Sequence, residues 1–176
     1  MKTRMYCVVN QYIAGIHAGI QSAHAIAEVF RDYTPAKTKA GKLVLEWADE
    51  DKTIIVLNGG YQSSLQSLCE ELIPVSATYP WASFCEEKDA LNGAMTAVAV
   101  VLPEYMYNPQ YMEVADLVYR PGQLSGPQIA NQYRDEMGNV IHNYTQVEKD
   151  LITMIKSFRL KGEEHGQGRR RYDGKF

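Results

Sequence analysis

Residues 95–102 read MTAVAVVL, eight positions without a charge, a glycine or a proline, and Pro103 closes them. A run this short and this rich in valine is a strand covered on both faces, because a half-solvated strand would alternate apolar with polar residues. A second unbroken run, Thr53 to Leu57 (TIIVL), reads the same way. A third, Met5 to Val9, breaks at Asn10-Gln11. Strands buried on both sides need helices to cover them, which makes this an α/β chain.

The covering helices follow from spacing. After Gly15, Ile16, Ile20, Ala23, Ala27 and Phe30 recur at helical intervals and predict an amphipathic helix of roughly four turns with that stripe inward. It stops near Tyr33-Thr34-Pro35, with Pro35 placed to open the next helix. That helix carries Leu43, Val44 and Trp47 and ends in Asp49-Glu50-Asp51. Asn58-Gly59-Gly60 turns the chain into a third helix with Leu65, Leu68 and Leu72 on one face, ended by Pro74. Ala77 to Cys85 is a strand that Pro80 assigns to an edge or a bulge. The order β-α-α-β-α-β-β predicts a four-stranded mixed sheet covered by helices, parallel in its first crossover.

Beyond Pro103 the chain changes character. Tyr105, Tyr107, Tyr111 and Tyr119 crowd a stretch holding Pro109, Pro121, Gly122 and Gly126, of the kind that works or packs on a partner. A helix is expected over Gln128 to Met137. A firmer one opens at Thr145, where Glu148 completes a capping box ahead of Val147, Leu151, Met154, Ile155 and Phe158. From Lys161 the sequence is polar, glycine-rich and basic. The expected organisation is an α/β core over 1–103, a Tyr-rich and helical extension over 104–160, and a flexible basic tail over 161–176.

The 176 residues, 45% apolar and 22% charged, suit one globular domain. A net charge of −3 confines any anion-binding surface to a local patch. Cys7, Cys69 and Cys85 lie in or beside apolar segments without a CxxC pair, so they are expected to be reduced core thiols. Neither a secretory signal nor a membrane-length apolar stretch is present, and the expected location is the cytoplasm.

Beside the apolar stripe of the first helix, His17, Gln21, His24, Glu28 and Arg31 form a second stripe. Its start follows a strand and the loop Asn10 to Gly15, a position where backbone N–H groups favour an anion such as phosphate. The same stripe is also what a solvated helix face looks like. His17 and His24 are about two turns, ~10 Å, apart, too far to share one ion. No metal or cofactor is expected, and no GxSxG, Walker or GxGxxG fingerprint occurs.

Met5-Tyr6-Cys7-Val8-Val9, followed by Gly19-Ile20-Gln21-Ser22-Ala23-His24-Ala25, resembles the opening of the archaeal/eukaryotic-type peptidyl-tRNA hydrolase family, whose first helix reads roughly G-K-x-A-A-Q-x-x-H-A. The strand Thr53 to Leu57, the third helix, and Ala90-Leu91-Asn92-Gly93 before the Met95 strand fall in matching order, over about residues 4 to 103. On this match the family's helix lysine falls on His17. Its later acidic and threonine positions fall near Phe84 and Lys88, with Glu86, Glu87 and Asp89 close by.

The resemblance implies a scaffold shaped for phosphates and bases. With its catalytic positions replaced, it leads to the expectation of a non-catalytic nucleotide-binding protein, such as a phage sponge that sequesters cyclic nucleotide immune signals in a host cytoplasm. Ligand contacts are expected from Asn10, Tyr12, His17, Gln21, His24, Lys88, Arg169 and Arg170, in a homo-oligomer. The alternatives are a peptidyl-tRNA hydrolase with a rearranged site, using His17 or His24 with a carboxylate, and an oligomeric protein-interaction adaptor.

Overall fold

The computed structural model describes residues 1–35, 37–113 and 127–162. In chain order these form β1 (Thr3–Val9), α1 (Ile16–Tyr33), α2 (Lys39–Glu46), β2 (Ile54–Asn58), α3 (Gln62–Leu72), β3 (Trp81–Cys85), α4 (Lys88–Leu91), β4 (Met95–Pro103), α5 (Glu104–Tyr107), β5 (Gln132–Arg134), β6 (Val140–Asn143), α6 (Gln146–Ser157) and β7 (Arg159–Leu160).

The main sheet runs β3-β4-β1-β2-β7. β1 and β2 are parallel, as the helical crossover between them requires, and the other three pairings are antiparallel. The sheet is therefore mixed, with five strands instead of the expected four. The addition is β7, which the chain lays against Leu57 and Asn58 after α6. Because β7 is so short, the start of β2 keeps an open edge and Ile54 is 45% exposed, although an unbroken apolar run had predicted full burial. β3 begins after Pro80 and forms the opposite edge, with a register shift between Phe84 and Cys85.

Alternate residues of β1 face two cores. Tyr6 and Val8 pack with Leu65, Leu68 and Leu72 of α3 and with Leu151, Ile152 and Ile155 of α6. Met5, Cys7 and Val9 pack with α1, Val44 and Trp47. Helices thus cover both faces of the sheet. Burial in the second core pushes the Cys7 thiol up to about 12, which keeps it protonated and inert. Cys69 is half-buried and Cys85 is exposed, so only Cys7 is a fully buried thiol.

The facing of α1 differs from the expected one. Its buried positions are Ala18, Gln21, Ser22, Ala25 and Val29, while Ile16 is 78% and Ile20 is 42% exposed, and Ala23 and Ala27 are exposed too. The reason lies in the sheet beneath. Ala82, Ala97 and Ala99 form the surface that α1 packs on, and small residues on both sides bring helix and sheet close together.

Two local readings also change. Pro35 does not start α2; Thr38 does, its side chain accepting from Gly41 N at 3.0 Å. The helix expected over Gln128 to Met137 is instead the β5–β6 hairpin. Asp135 turns it, Oδ1 accepting from Met137 N (2.9 Å) and Asn139 N (2.8 Å), with Gly138 at φ 85°. Side-chain bonds to the nearby backbone compete with helix formation in this way. The capping box at Thr145 and Glu148 forms as the sequence predicts.

Candidate functional site: a crevice between two strand ends

Asn10 follows the last residue of β1 and Asn58 is the last of β2, and each asparagine caps its own loop. Asn10 Oδ1 accepts from Tyr12 N at 3.1 Å, and Asn58 Oδ1 accepts from Gly60 N at 3.0 Å. The two loops are joined by Gly59 N donating to Val9 O (2.8 Å) and Gln11 N donating to Gly60 O (2.8 Å). Beyond the loops the chain leaves for opposite faces, α1 to one core and α3 to the other. Such a divergence outside the carboxyl ends of parallel strands is where open α/β sheets form a binding crevice.

Each of the two loops carries a tyrosine, and the two rings pack against each other. The rings of Tyr12 and Tyr61 are 5.5 Å apart and tilted by 57°. They are 75% and 55% exposed, unusual for aromatic rings with no core to fill. Next to Tyr12 is the start of α1, which Gly15 precedes in a left-handed conformation (φ 56°). No side chain caps it and no acid occupies its first turn. Ala18 N bonds back to Gly15 O at 3.2 Å, and the other N–H groups of an uncapped start can meet an anion. Lys161 braces the loop from the other end of the chain, its Nζ donating to Gln11 O at 3.2 Å and Asn10 O at 3.4 Å.

Adjoining the crevice is a polar network under α1. Gln21, only 6% exposed, donates from Nε2 to Glu86 Oε1 at 2.6 Å and accepts at Oε1 from the Thr96 hydroxyl at 2.7 Å. A buried amide must satisfy both ends, and Gln21 does so on two other segments. Glu86 is thereby held against the helix between the turns that carry His17 and His24. His24 is stacked on Phe84, ring centroids 4.5 Å apart.

The residues expected to bind ligand therefore separate into groups. Tyr12 and His17 are exposed, Tyr12 against Tyr61 and His17 in the first turn of α1. Asn10 and Gln21 are built into the scaffold: besides capping its loop, Asn10 donates from Nδ2 to Met95 O at 3.3 Å. His24 lies on the Phe84 side of α1. Lys88, the exposed first residue of α4, is two positions beyond Glu86. Arg169 and Arg170 lie outside the described residues, as does Tyr119.

Sequence reasoning missed Tyr61 and Thr96, and it reached Glu86 only as a neighbour of the matched acidic position. The signal for Tyr61 was present. Both parallel strands end in valine or leucine, then asparagine, with a tyrosine two or three positions later. Glu86 and Thr96 are distant in sequence from Gln21, and only the fold brings the three together.

Among the described residues no three His, Cys, Asp or Glu side chains converge on a metal position. No described helix is long and apolar enough to cross a membrane. Compared with protein-family models and with curated protein sequences, the chain matches none.

Proposed function

We propose that this protein is a nucleotide-binding protein that holds its ligand at the crevice between the β1 and β2 loops, without turning it over. The observation that carries this reading is the pair of exposed rings, Tyr12 and Tyr61, packed against each other beside an uncapped helix start. Stacking on tyrosine gains about 1–3 kcal/mol per base whatever the base, and a helix N-terminus supplies the phosphate contact. Stoichiometric retention of this kind is what sequestering a cyclic nucleotide immune signal demands, as a phage sponge does, and the resemblance to peptidyl-tRNA hydrolases points to the same class of ligand.

The test is native mass spectrometry and calorimetry with cyclic dinucleotides and mononucleotides, on the wild type and on the Tyr12→Ala/Tyr61→Ala double variant. Bound, unaltered nucleotide whose affinity falls at least about tenfold in the double variant supports the proposal. Equal affinity in the two proteins removes the crevice from consideration.

A second reading is favoured by one contact. Gln21 orients the carboxylate of Glu86 against α1, and an oriented carboxylate is the kind of group that activates water for attack on a peptidyl ester. Under this reading the chain is a peptidyl-tRNA hydrolase in which Glu86 acts as base. Peptide release from peptidyl-tRNA that disappears in Glu86→Gln, with the fold intact, would select this reading over retention.

A further inference from the structure

At the opposite end of the sheet, where Thr3 of β1 pairs with Pro103 of β4, lies a cavity of about 220 Å³. Leu43, Pro103, Tyr79 and Tyr105 line it together with Met1 and Thr78; Lys39, Lys42 and Glu46 of α2 supply the side-chain charges. We propose that this cavity is a second binding site, for a small aromatic carboxylate.

Three observations point to that chemistry. The first is size. A water takes about 30 Å³ of liquid volume, so the cavity has room for roughly seven waters' worth of ligand, a single ring with a short side chain. Second, the tyrosine walls are fixed. Tyr79 is fully buried and its hydroxyl donates to Glu148 Oε1 at 2.5 Å. Tyr105 is stacked on His142, centroids 4.1 Å apart, and its carbonyl accepts from the Tyr144 hydroxyl at 2.5 Å. A pocket whose walls are ordered beforehand binds without the cost of arranging them.

Charge is the third. Lys39 and Lys42 are exposed on successive turns of one helix, and neither has an ion-pair partner among the described residues. The one acid of the lining, Glu46, is engaged by the terminal ammonium of Met1 at 3.5 Å. In a chain of net charge −3, an apolar cavity with two unpaired ammonium groups at its rim complements an apolar body ending in a single negative charge. A nucleotide is too large and too polar for it, which separates this site from the crevice.

The experiment uses the full chain and two probes of equal size, 3-phenylpropionate and its neutral counterpart 3-phenylpropanol. Binding is followed by NMR shifts of Leu43 methyl and tyrosine ring signals. The expected result is that the acid saturates shifts at Leu43 and Tyr105 and that the alcohol binds at least about fivefold more weakly. In Lys39→Gln/Lys42→Gln, whose changes are on the surface and leave the walls intact, acid and alcohol should bind alike. Equal binding of the two probes to the wild type overturns the proposal, as does an acid whose shifts map to Tyr12 and Tyr61, or no saturable shift at millimolar acid.

Discussion

Tyr79 and Glu148 meet at 2.5 Å between the segment that leads into β3 and the first turn of α6, and this contact ties the C-terminal extension to the core. Glu148 also completes the capping box, its Oε2 accepting from Thr145 N (2.8 Å) and the Thr145 hydroxyl (3.0 Å), and it meets His142 Nε2 at 3.1 Å. One buried carboxylate thus serves four donors from three segments.

This arrangement makes stability depend on acid. Burial by itself would raise the Glu148 carboxyl, but the bonds from Thr145, Tyr79 and His142 outweigh it and hold the group below the ordinary glutamate value. In the unfolded chain it titrates near that ordinary value, about 4.3. The unfolded state therefore takes up the proton first as pH falls. The stabilisation is present above about pH 4.3 and is lost as pH drops through the lower folded value. Urea denaturation from pH 6 to pH 3 should show wild type losing stability more steeply than Glu148→Gln. Parallel curves would deny the role.

At pH 7, Glu148→Ala should cost about 2–4 kcal/mol, because it leaves the Tyr79 hydroxyl buried without an acceptor and removes the carboxylate half of the capping box. Tyr79→Phe should cost less, about 1 kcal/mol, since the carboxylate keeps its other donors. A loss under 0.5 kcal/mol for Glu148→Ala, measured by urea unfolding, would contradict the geometry.

Gly59 is required by space. A Cβ there would lie 2.5 Å from Leu65 Cδ2 and 2.6 Å from Val8 Cγ1, where the β2 loop crosses the core side chains of β1 and α3. Gly59→Ala should destabilise by about 1–3 kcal/mol through overpacking, read as a lower thermal midpoint. Gly19→Ala has no atom within 4 Å to meet and sits within α1, so it should raise stability by about 0.5–1 kcal/mol.

The two faces of α1 should respond in opposite ways. Ile20→Lys places a charge on an already exposed position and should change stability by less than about 0.5 kcal/mol. Ala25→Leu forces a large side chain between helix and sheet and should cost at least about 1–3 kcal/mol. The reverse ranking in chemical denaturation would mean that the helix is turned the other way.

Gln21→Leu removes both bonds of the buried amide and should cost about 1–3 kcal/mol. Under the crevice reading its effect on ligand affinity is small, because Gln21 faces inward and Tyr12 faces the ligand. Calorimetry on this variant therefore separates a scaffold role from direct contact.

Features set by neighbouring residues were legible in the chain itself. Thr145 with Glu148 announced the cap of α6, since both bonds close within one turn. The valine-rich Met95 run announced a buried strand, because no other short element tolerates so little polarity. Alternation of such runs with helical spacing gave the α/β class and the parallel pairing of β1 with β2.

Tertiary structure alone decided which face of α1 is buried. A helix with apolar residues on two stripes has no inward side until a partner surface is present, and the alanines of β3 and β4 admitted Ala18, Ser22 and Ala25 while leaving Ile16 and Ile20 outside. The same holds for the site. Gln21, Glu86 and Thr96 are 65 to 75 positions apart from one end of the network to the others, and hydrogen bonds across such separations exist only once the sheet is assembled.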